Sequence, residues 1–390
     1  MMPLMPSSCD PAVVELEEYA TSEPVALDGE QRASLARVAE GRLTLLAGPD
    51  PGTVQLKASS YVGAIAIPGM RIRIAPKVSI GNLFALFTAG LDATDFTADL
   101  ADWAGADFVE GLAAFLVRST DIATSRGMLH GYREVEERVP AVRGRLLIDQ
   151  IAARPWELAP APCRFDDFTA DTVENRILGH VVRNVLRWPH VDLATRRRAR
   201  RLLERFDRVG DLSAAEALVR WPEITRLNQH LEVPLALARL VLANAGLTDA
   251  QGDQHAHGFL VDMNALYERW IAEELTLRLS PHMATTAQES TYLAKGQKVH
   301  MRPDLVFRQD DDVVLVGDTK YKISKSGIAR GDDYYQLLAY TVAHQTASGL
   351  LIYCTAEPKP PKTVTIRHLD KKLVCYHVPL AGTPQELSRR

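Results

Sequence analysis

The chain has 390 residues, 46% of them hydrophobic and 24% charged, with 45 Lys+Arg against 49 Asp+Glu. That apolar content excludes general disorder, and the net charge of −4 excludes a protein that binds nucleic acid through overall positive charge. At roughly 100–200 residues per domain, the length predicts two or three domains.

The charge is not evenly spread. Residues 1–125 carry 16 acidic and 8 basic residues, net −8; residues 126–210 carry 17 Arg, no Lys and 12 acidic residues, net +5; residues 211–390 carry 20 basic and 21 acidic residues, net −1. An acidic front and a basic middle predict parts with different partners. The N-terminal stretch MMPLMPSSCDPAVVELEEY has neither the basic nor the apolar region of a signal peptide. No window reaches the roughly 18 uncharged apolar residues of a membrane span. Cys9, Cys163, Cys354 and Cys375 form no C-x-x-C pair, which argues against zinc and iron–sulfur sites. Free thiols in a reducing cytoplasm are expected.

In chain order, the first 80 residues read mainly as β. LTLLA (43–47), TVQLKA (53–58), YVGAIAIP (61–68) and RIRIAPKV (71–78) are short alternating runs broken by Gly and Pro, and they predict a compact β-barrel or sandwich. NLFALFT (82–88) opens a helical stretch expected to run to about 125. From Gly127 to Asp171, RGMLHGYREVEERVP and AVRGRLLID read as turn-rich elements. In DTVENRILGHVVRNVLRW (171–188) the apolar residues fall at helical spacing, with Asp171 or Thr172 as N-cap and Glu174 three residues after Asp171. Residues 195–248 continue as amphipathic helices. Arg196, Arg197, Arg198, Arg200 and Arg201 lie on more than one face of their helix; they form either a solvated surface or a phosphate-contacting face.

The last third predicts an α/β sheet. A helix over 262–279 precedes strands around 282–293, 301–307 and 312–322, then a helix over 332–345 and a strand over 348–355, with Asp310-Asp311-Asp312 as a turn. Pro303-Asp304 sits on the second strand and Asp318-Thr319-Lys320 ends the third. Two carboxylates on adjacent strands can hold a hard, oxygen-preferring cation such as Mg²⁺, and the Thr319 carbonyl can add an oxygen. Such a cation polarises a phosphoryl oxygen and acidifies a bound water. Lys320 falls on the same strand face as Asp318 because side chains alternate with period 2, so it can orient the water and stabilise developing negative charge. Glu268 lies on the preceding helix, and Gln336 and Tyr340 form an i,i+4 pair on the following one. The pattern predicts a metal-dependent nuclease. No GxxxxGK[ST], GxGxxG, HExxH or GxSxG motif occurs, and His255-x-His257 sits in QGDQHAHG, which reads as a linker.

On these residues the C-terminal third resembles the PD-(D/E)xK nucleases, with the Q-x-x-x-Y helix of their RecB-like branch. The wider chain resembles the McrC family, the nuclease subunits of McrBC 5-methylcytosine restriction systems. YVGAIAIPGMRIRIAPKV (61–78) is similar to the family's G-x-I-x-I-x-P-K signature, GMLHGYREVEERVPAVRGRL (127–146) to its block ending in RGR, and CRFDDFTADTVENRIL (163–178) to its block ending in NRIL. The resemblance implies an α/β multidomain chain: a β-rich docking domain with following helices (1–125), a mostly helical Arg-rich middle (126–250) and a PD-(D/E)xK nuclease domain (251–390). It implies an endonuclease acting on double-stranded DNA as the partner of an McrB-like AAA+ GTPase ring. GTP is expected on that partner, Mg²⁺ on this chain, and no membrane association. Asp304 and Asp318 are then metal ligands and Lys320 the catalytic lysine. Glu268 is a further ligand with Glu289 as competitor, and Gln336 and Tyr340 support the site. Arg71, Arg73 and Lys77 are candidates for contacting the partner by location alone, with strand-surface charge as the competing reading. Arg143 and Arg145, flanking Gly144, are candidates for phosphate or an acidic surface. Asn175 and Arg176 are candidates for internal bracing. The alternatives are an assembly subunit with a weak site and a stand-alone repair nuclease.

Overall fold

The computed structural model describes residues 11–78, 82–83, 86, 108–157, 159–188, 191–244, 257–280, 282–321, 331–355 and 357–381. The chain forms two compact units, one from Met1–Gly111 with Leu247–Arg390 and one from Leu112–Gly246. The architecture is mixed α/β. Among the described residues no helix is long and apolar enough to cross a membrane.

The first unit begins with β1 (Ala12–Glu17), β2 (Val25–Ala26), α1 (Gly29–Val38), β3 (Leu43–Ala47), β4 (Thr53–Ala58), β5 (Tyr61–Ile67) and β6 (Met70–Ala75). Strands β3 to β6 follow the predicted runs closely. Asp28 starts α1 by a capping box: its carboxylate accepts the Gln31 N–H at 2.7 Å, and Gln31 Oε1 accepts the Asp28 N–H at 3.1 Å. Along β6, Met70, Ile72 and Ile74 are buried while Arg71 is exposed. Arg73 pairs with Glu15 of the adjacent, parallel β1 at 3.3 Å. The basic face of β6 therefore carries strand-surface charge. Leu16, Leu35, Leu56, Ile65 and Ile72 meet in a common core, which joins β1, β5 and β6 to a second sheet ordered β2-β4-β3.

The second unit contains most of α2 (Phe108–Thr124), then β7 (Gly131–Val139), β8 (Arg145–Leu146), α3 (Ile148–Ala153), β9 (Ala161–Thr169), α4 (Val173–Val185), α5 (Leu193–Leu203), α6 (Ala214–Val219) and α7 (Glu232–Asn244). Of the earlier part of the helical stretch predicted from residue 82, residues 82–83 and 86 are helical and the rest up to 107 lies outside the described residues. The segment read as turn-rich forms a sheet ordered β7-β9-β8. Its first strand carries charges on both faces and buries no residue, so it lacks the alternation that marks a half-buried strand. Gly144 turns the chain into β8 at φ +64°, and a Cβ there would lie 2.4 Å from the Arg164 carbonyl oxygen; only glycine fits between the two arginines of that R-G-R run. Arg143 ion-pairs with Asp167 at 3.2 Å and lies over the Phe165 ring. Thr172, not Asp171, caps α4. Asp171 instead holds Arg176 at 2.5 Å and the Gly210 N–H at 2.8 Å. Asn175 donates to the carbonyls of Leu129 and Ala170, at 2.7 Å each. Asn175 and Arg176 thus brace this unit internally.

The chain then returns to the first unit with β10 (His257–Asp262), α8 (Met263–Leu279), β11 (Ala284–Ala287), β12 (Thr291–Ala294), β13 (Lys298–Met301), β14 (Leu305–Gln309), β15 (Asp312–Lys320), α9 (Gly331–Ala343), β16 (Ser348–Thr355), β17 (Lys362–Thr365) and β18 (Lys372–Pro379). Part of the predicted linker is a strand: β10 pairs antiparallel with β5 and completes a four-stranded sheet ordered β1-β6-β5-β10. His255 lies outside the described residues. Gly63 permits this pairing, since a Cβ there would sit 2.1 Å from the Phe259 carbonyl oxygen. A six-stranded sheet ordered β11-β14-β15-β16-β18-β17 follows, with β15, β16 and β18 parallel and the remaining pairs antiparallel. Helix α9 packs on this sheet through Leu337 and Tyr340 against Val316, Leu351 and Tyr353. Cys163, Cys354 and Cys375 are buried.

Candidate active site

The β14–β15 hairpin sets the geometry. Asp310 and Asp311 turn it with φ +50° and +72°, a conformation that Asp tolerates better than most residues. A register shift between Phe307 and Arg308 then brings Leu305 opposite Gly317. One residue further along, Asp304 leaves the strand bonded to Thr319 and close enough for its charge to act on Asp318. Without that shift, Gly317 would stand opposite Asp304 and Asp318 would project from the other face of the sheet.

Asp304 immediately precedes β14. Its Oδ2 accepts the Thr319 backbone N–H at 2.7 Å and the Thr319 hydroxyl at 2.9 Å. Asp318 is buried at 1% exposure, with Lys320 Nζ 2.6 Å from its Oδ2. Lys320 also donates to Gln336 Oε1 at 3.0 Å. Gln336 Nε2 donates to the Tyr340 hydroxyl at 2.7 Å, and that hydroxyl donates to the Arg302 carbonyl at 3.3 Å. A continuous polar chain therefore runs from Asp318 through Lys320, Gln336 and Tyr340 to the backbone beside Asp304. The i,i+4 pair on α9 points toward the two strands and braces the lysine between them.

Glu268 and Glu289 separate clearly. Glu268 projects from α8; burial, and after it the charges of Asp304 and Asp318, push its carboxyl up to about 7. Gln288 donates to it at 3.3 Å. Glu289 is paired with Arg308 at 2.6 Å, and that hydrogen bond holds its carboxyl below the usual range. Glu268 thus joins the electrostatics of the two aspartates, and Glu289 belongs to a surface ion pair.

The aspartates shape each other. Burial first, then the charge of Asp304, raises Asp318 to about 7, and Lys320 only partly offsets this. Burial alone would lower the Lys320 ammonium, but the charges of Asp318, Asp304 and Asp333 outweigh it and raise that group. Lys320 is therefore a held cation. The short motif gives no sign of Asp333, a buried carboxylate in the first turn of α9 that receives the hydroxyl of Tyr353. Its spacing three residues before Gln336 places it on the same helix face.

Among the described residues no three Asp, Glu, His or Cys side chains converge at metal-ligand spacing. The donor chemistry nevertheless suits a hard divalent cation. Glu268 and Asp318 are raised to about 7 by burial first and then by the charge of Asp304, and carboxylate oxygens are the ligand type that Mg²⁺ prefers. Asp304 and Asp318 would hold the cation, with Glu268 flanking it.

Two contacts tie this site to the N-terminal strands of the same unit. Tyr321, directly after Lys320, donates its hydroxyl to the buried Glu18 at 2.9 Å, and the Lys77 N–H donates to the same oxygen at 2.7 Å. Ser60 donates to Asp262 at 3.0 Å, and Asp262 caps the helix that carries Glu268 by accepting the Asn264 N–H.

Comparison with known proteins bears on this arrangement. No curated protein sequence matches the chain. Among solved structures, the fold is similar to a chain of a refined half-complex from the tetradecameric assembly of Thermococcus gammatolerans McrB AAA+ hexamers with bound McrC. The TM-score is 0.61 at 21% identity, covering 97% of this chain and 99% of that one. A chain from a cryo-EM structure of the T. gammatolerans McrBC complex matches at TM-score 0.47 and 23% identity, covering 69% of this chain and 88% of that one. The profile of the McrBC 5-methylcytosine restriction system component family matches residues 56–354, from the N-terminal hairpin that seats β10 through both aspartates, Lys320 and α9. By that match the chain belongs to the family of McrBC 5-methylcytosine restriction system components.

Proposed function

We propose that this chain is the nuclease subunit of a modification-dependent restriction complex. It would be a Mg²⁺-dependent endodeoxyribonuclease that docks on an McrB-like AAA+ GTPase ring and is delivered to double-stranded DNA by it. The observation that carries the reading is the juxtaposition of Asp304, Asp318 and Lys320 at the open end of the β14–β15 hairpin, with Glu268 beside them. A PD-(D/E)xK site needs those groups. The family membership and the fold likeness to a chain of an assembly containing McrB hexamers with bound McrC support the partner. The intact charge constellation argues against an assembly subunit with a decayed site.

When bound, Mg²⁺ supplies Lewis acidity toward a phosphoryl oxygen and a more acidic water. The protein's own groups do the rest. Thr319 fixes Asp304 with two hydrogen bonds, so one carboxylate oxygen remains available for ligation. Asp318 and Glu268 are held as desolvated carboxylates that gain from a neighbouring cation. The Lys320 ammonium, braced by Gln336 and Tyr340, donates to charge developing on the scissile phosphate. Its place beside Asp318 and Gln336 suits it to act as an electrostatic donor. The N-terminal sheets of residues 1–125 take the docking function, through which GTP hydrolysis on the partner is stimulated. Residues 251–390 carry cleavage.

The test is cleavage of methylated DNA by the full chain with its GTPase partner, GTP and Mg²⁺. Asp318→Asn should abolish cutting and leave partner binding and GTP hydrolysis intact. Cutting by purified Asp318→Asn at the wild-type rate would refute the assignment.

A further inference from the structure

The second unit holds a cleft of about 530 Å³ whose walls include Arg197, Arg198, Arg201, Arg205 and Asp121. Arg198 and Arg205 both clasp Asp121, at 2.8 and 3.0 Å, and Arg205 also donates to the Thr124 hydroxyl at 3.0 Å. Arg197 and Arg201 pair with no carboxylate among the described residues. Four guanidinium groups line the cleft against one carboxylate, which two of them share, and this leaves the lining with a charge of +3. Among the described residues, the apolar lining consists of Ala194 and the buried Leu202.

We infer that this cleft is a second DNA site, one that binds phosphates of the duplex backbone and performs no chemistry. The inference rests on the nuclease reading above, which makes DNA the polyanion at hand. Arg197 and Arg201 stand one helical turn apart, about 6 Å along the axis, so two neighbouring phosphates can each meet a guanidinium. Asp121 orients Arg198 and Arg205 from below and neutralises one charge of the four. Guanidinium groups bind phosphate in a planar, two-pronged manner that ammonium groups do not, and residues 126–210 use 17 Arg and no Lys. A protein partner would want an apolar anchor at the centre of its footprint, and the lining offers none.

Arg196, adjacent in sequence, does something else. Its guanidinium donates to the carbonyls of Val191 at 3.0 Å and Trp188 at 2.6 Å, and to that of Leu186. It closes the loop between α4 and α5 and is committed to the fold. Within the run, Arg196 is structural, Arg197, Arg198 and Arg201 line the cleft, and Arg200 is exposed outside it; Arg205 joins the cleft from beyond the run.

The experiment measures binding of the full-length chain, free of divalent metal, to a short unmodified duplex across a KCl series. In Arg197→Ala/Arg201→Ala the slope of log K against log [KCl] should become shallower by about 2, at about 0.9 for each phosphate no longer neutralised. Arg197→Lys/Arg201→Lys should keep most of the slope, since each ammonium still displaces a counterion. Arg196→Ala should lower the melting temperature and keep the slope. A wild-type slope in the folded double-alanine variant overturns the proposal. So does competition by polyglutamate equal, per charge, to that of duplex DNA, which would identify the cleft as a seat for an acidic protein segment. The outcomes are separable from the nuclease reading. A shallower slope together with cutting by Asp318→Asn would leave the cleft standing and remove the active-site assignment. An unchanged slope with inactive Asp318→Asn would do the reverse.

Discussion

The carboxylate pocket of the first unit and the arginine cleft of the second concentrate charge in opposite ways. In the pocket the charges are few, buried and mutually dependent: Asp318 is almost fully enclosed, Lys320 is locked to it, and both titrate away from their ordinary values. In the cleft the charges are many, exposed and loosely tied, with one carboxylate shared between two of four guanidinium groups. Desolvation makes each pocket interaction strong and intolerant of change. Solvent and salt make each cleft interaction weak, additive and screened. The first arrangement suits chemistry at one phosphate; the second suits holding a long polyanion.

The largest effect should come from the pocket. Lys320→Ala is expected to slow single-turnover cleavage by about 10²–10³-fold, the usual loss when one preorganised donor to developing charge is removed. A rate within a few-fold of wild type would show that the pocket does not behave as a preorganised site, and the contrast with the cleft would collapse.

A smaller effect should come from Asp171, half of a partly buried ion pair with Arg176 inside the cleft's own unit. The hydrogen bond from Arg176 is the chief cause that holds its carboxyl down at about 2, with the Gly210 N–H and Arg133 assisting against the cost of burial. A carboxyl depressed in the folded state stabilises the protein above its unfolded value near 3.8, and that contribution is lost as the pH falls through about 2. Asp171→Asn should therefore cost about 2 kcal/mol in denaturant unfolding at neutral pH. The gap to wild type should narrow between pH 4 and pH 2. A gap constant across that range would mean that the ion pair is not what Asp171 contributes. The smallest effect on stability is expected at the exposed cleft, where Arg197→Ala/Arg201→Ala should stay within about 0.5 kcal/mol of wild type while changing the salt slope of DNA binding.

The pocket is largely legible in the sequence and the cleft only half so. Asp318 and Lys320 end one strand, so period-2 alternation alone puts them on one face, and Asp304 directly precedes the strand paired with it. Gln336 and Tyr340 are neighbours by helical spacing, and the structure adds that their partner is Lys320. Asp333, Tyr353 and the Glu18–Tyr321 bond cannot be read, because each depends on segments brought together over long sequence separations. Strand β10 is hidden for the same reason: its partner is β5, about two hundred residues earlier in the chain. Strand β7 is hidden because its side chains are charged on both faces. In the arginine run, nothing local separates Arg196 from Arg197. The difference arises only when the end of α4 presents its carbonyls to one of them and Asp121 of α2 approaches the other side of the helix.

Everything proposed for the pocket requires that Asp304 and Asp318 together hold a divalent cation, and calorimetric titration of the full-length chain with Mn²⁺, in place of Mg²⁺, measures that directly. Wild-type protein should show saturable binding that disappears in the folded Asp304→Asn/Asp318→Asn variant and persists in Glu289→Gln, whose carboxylate is engaged by Arg308. Equal Mn²⁺ binding by wild type and the double-asparagine variant would contradict the assignment of this pocket as the catalytic centre.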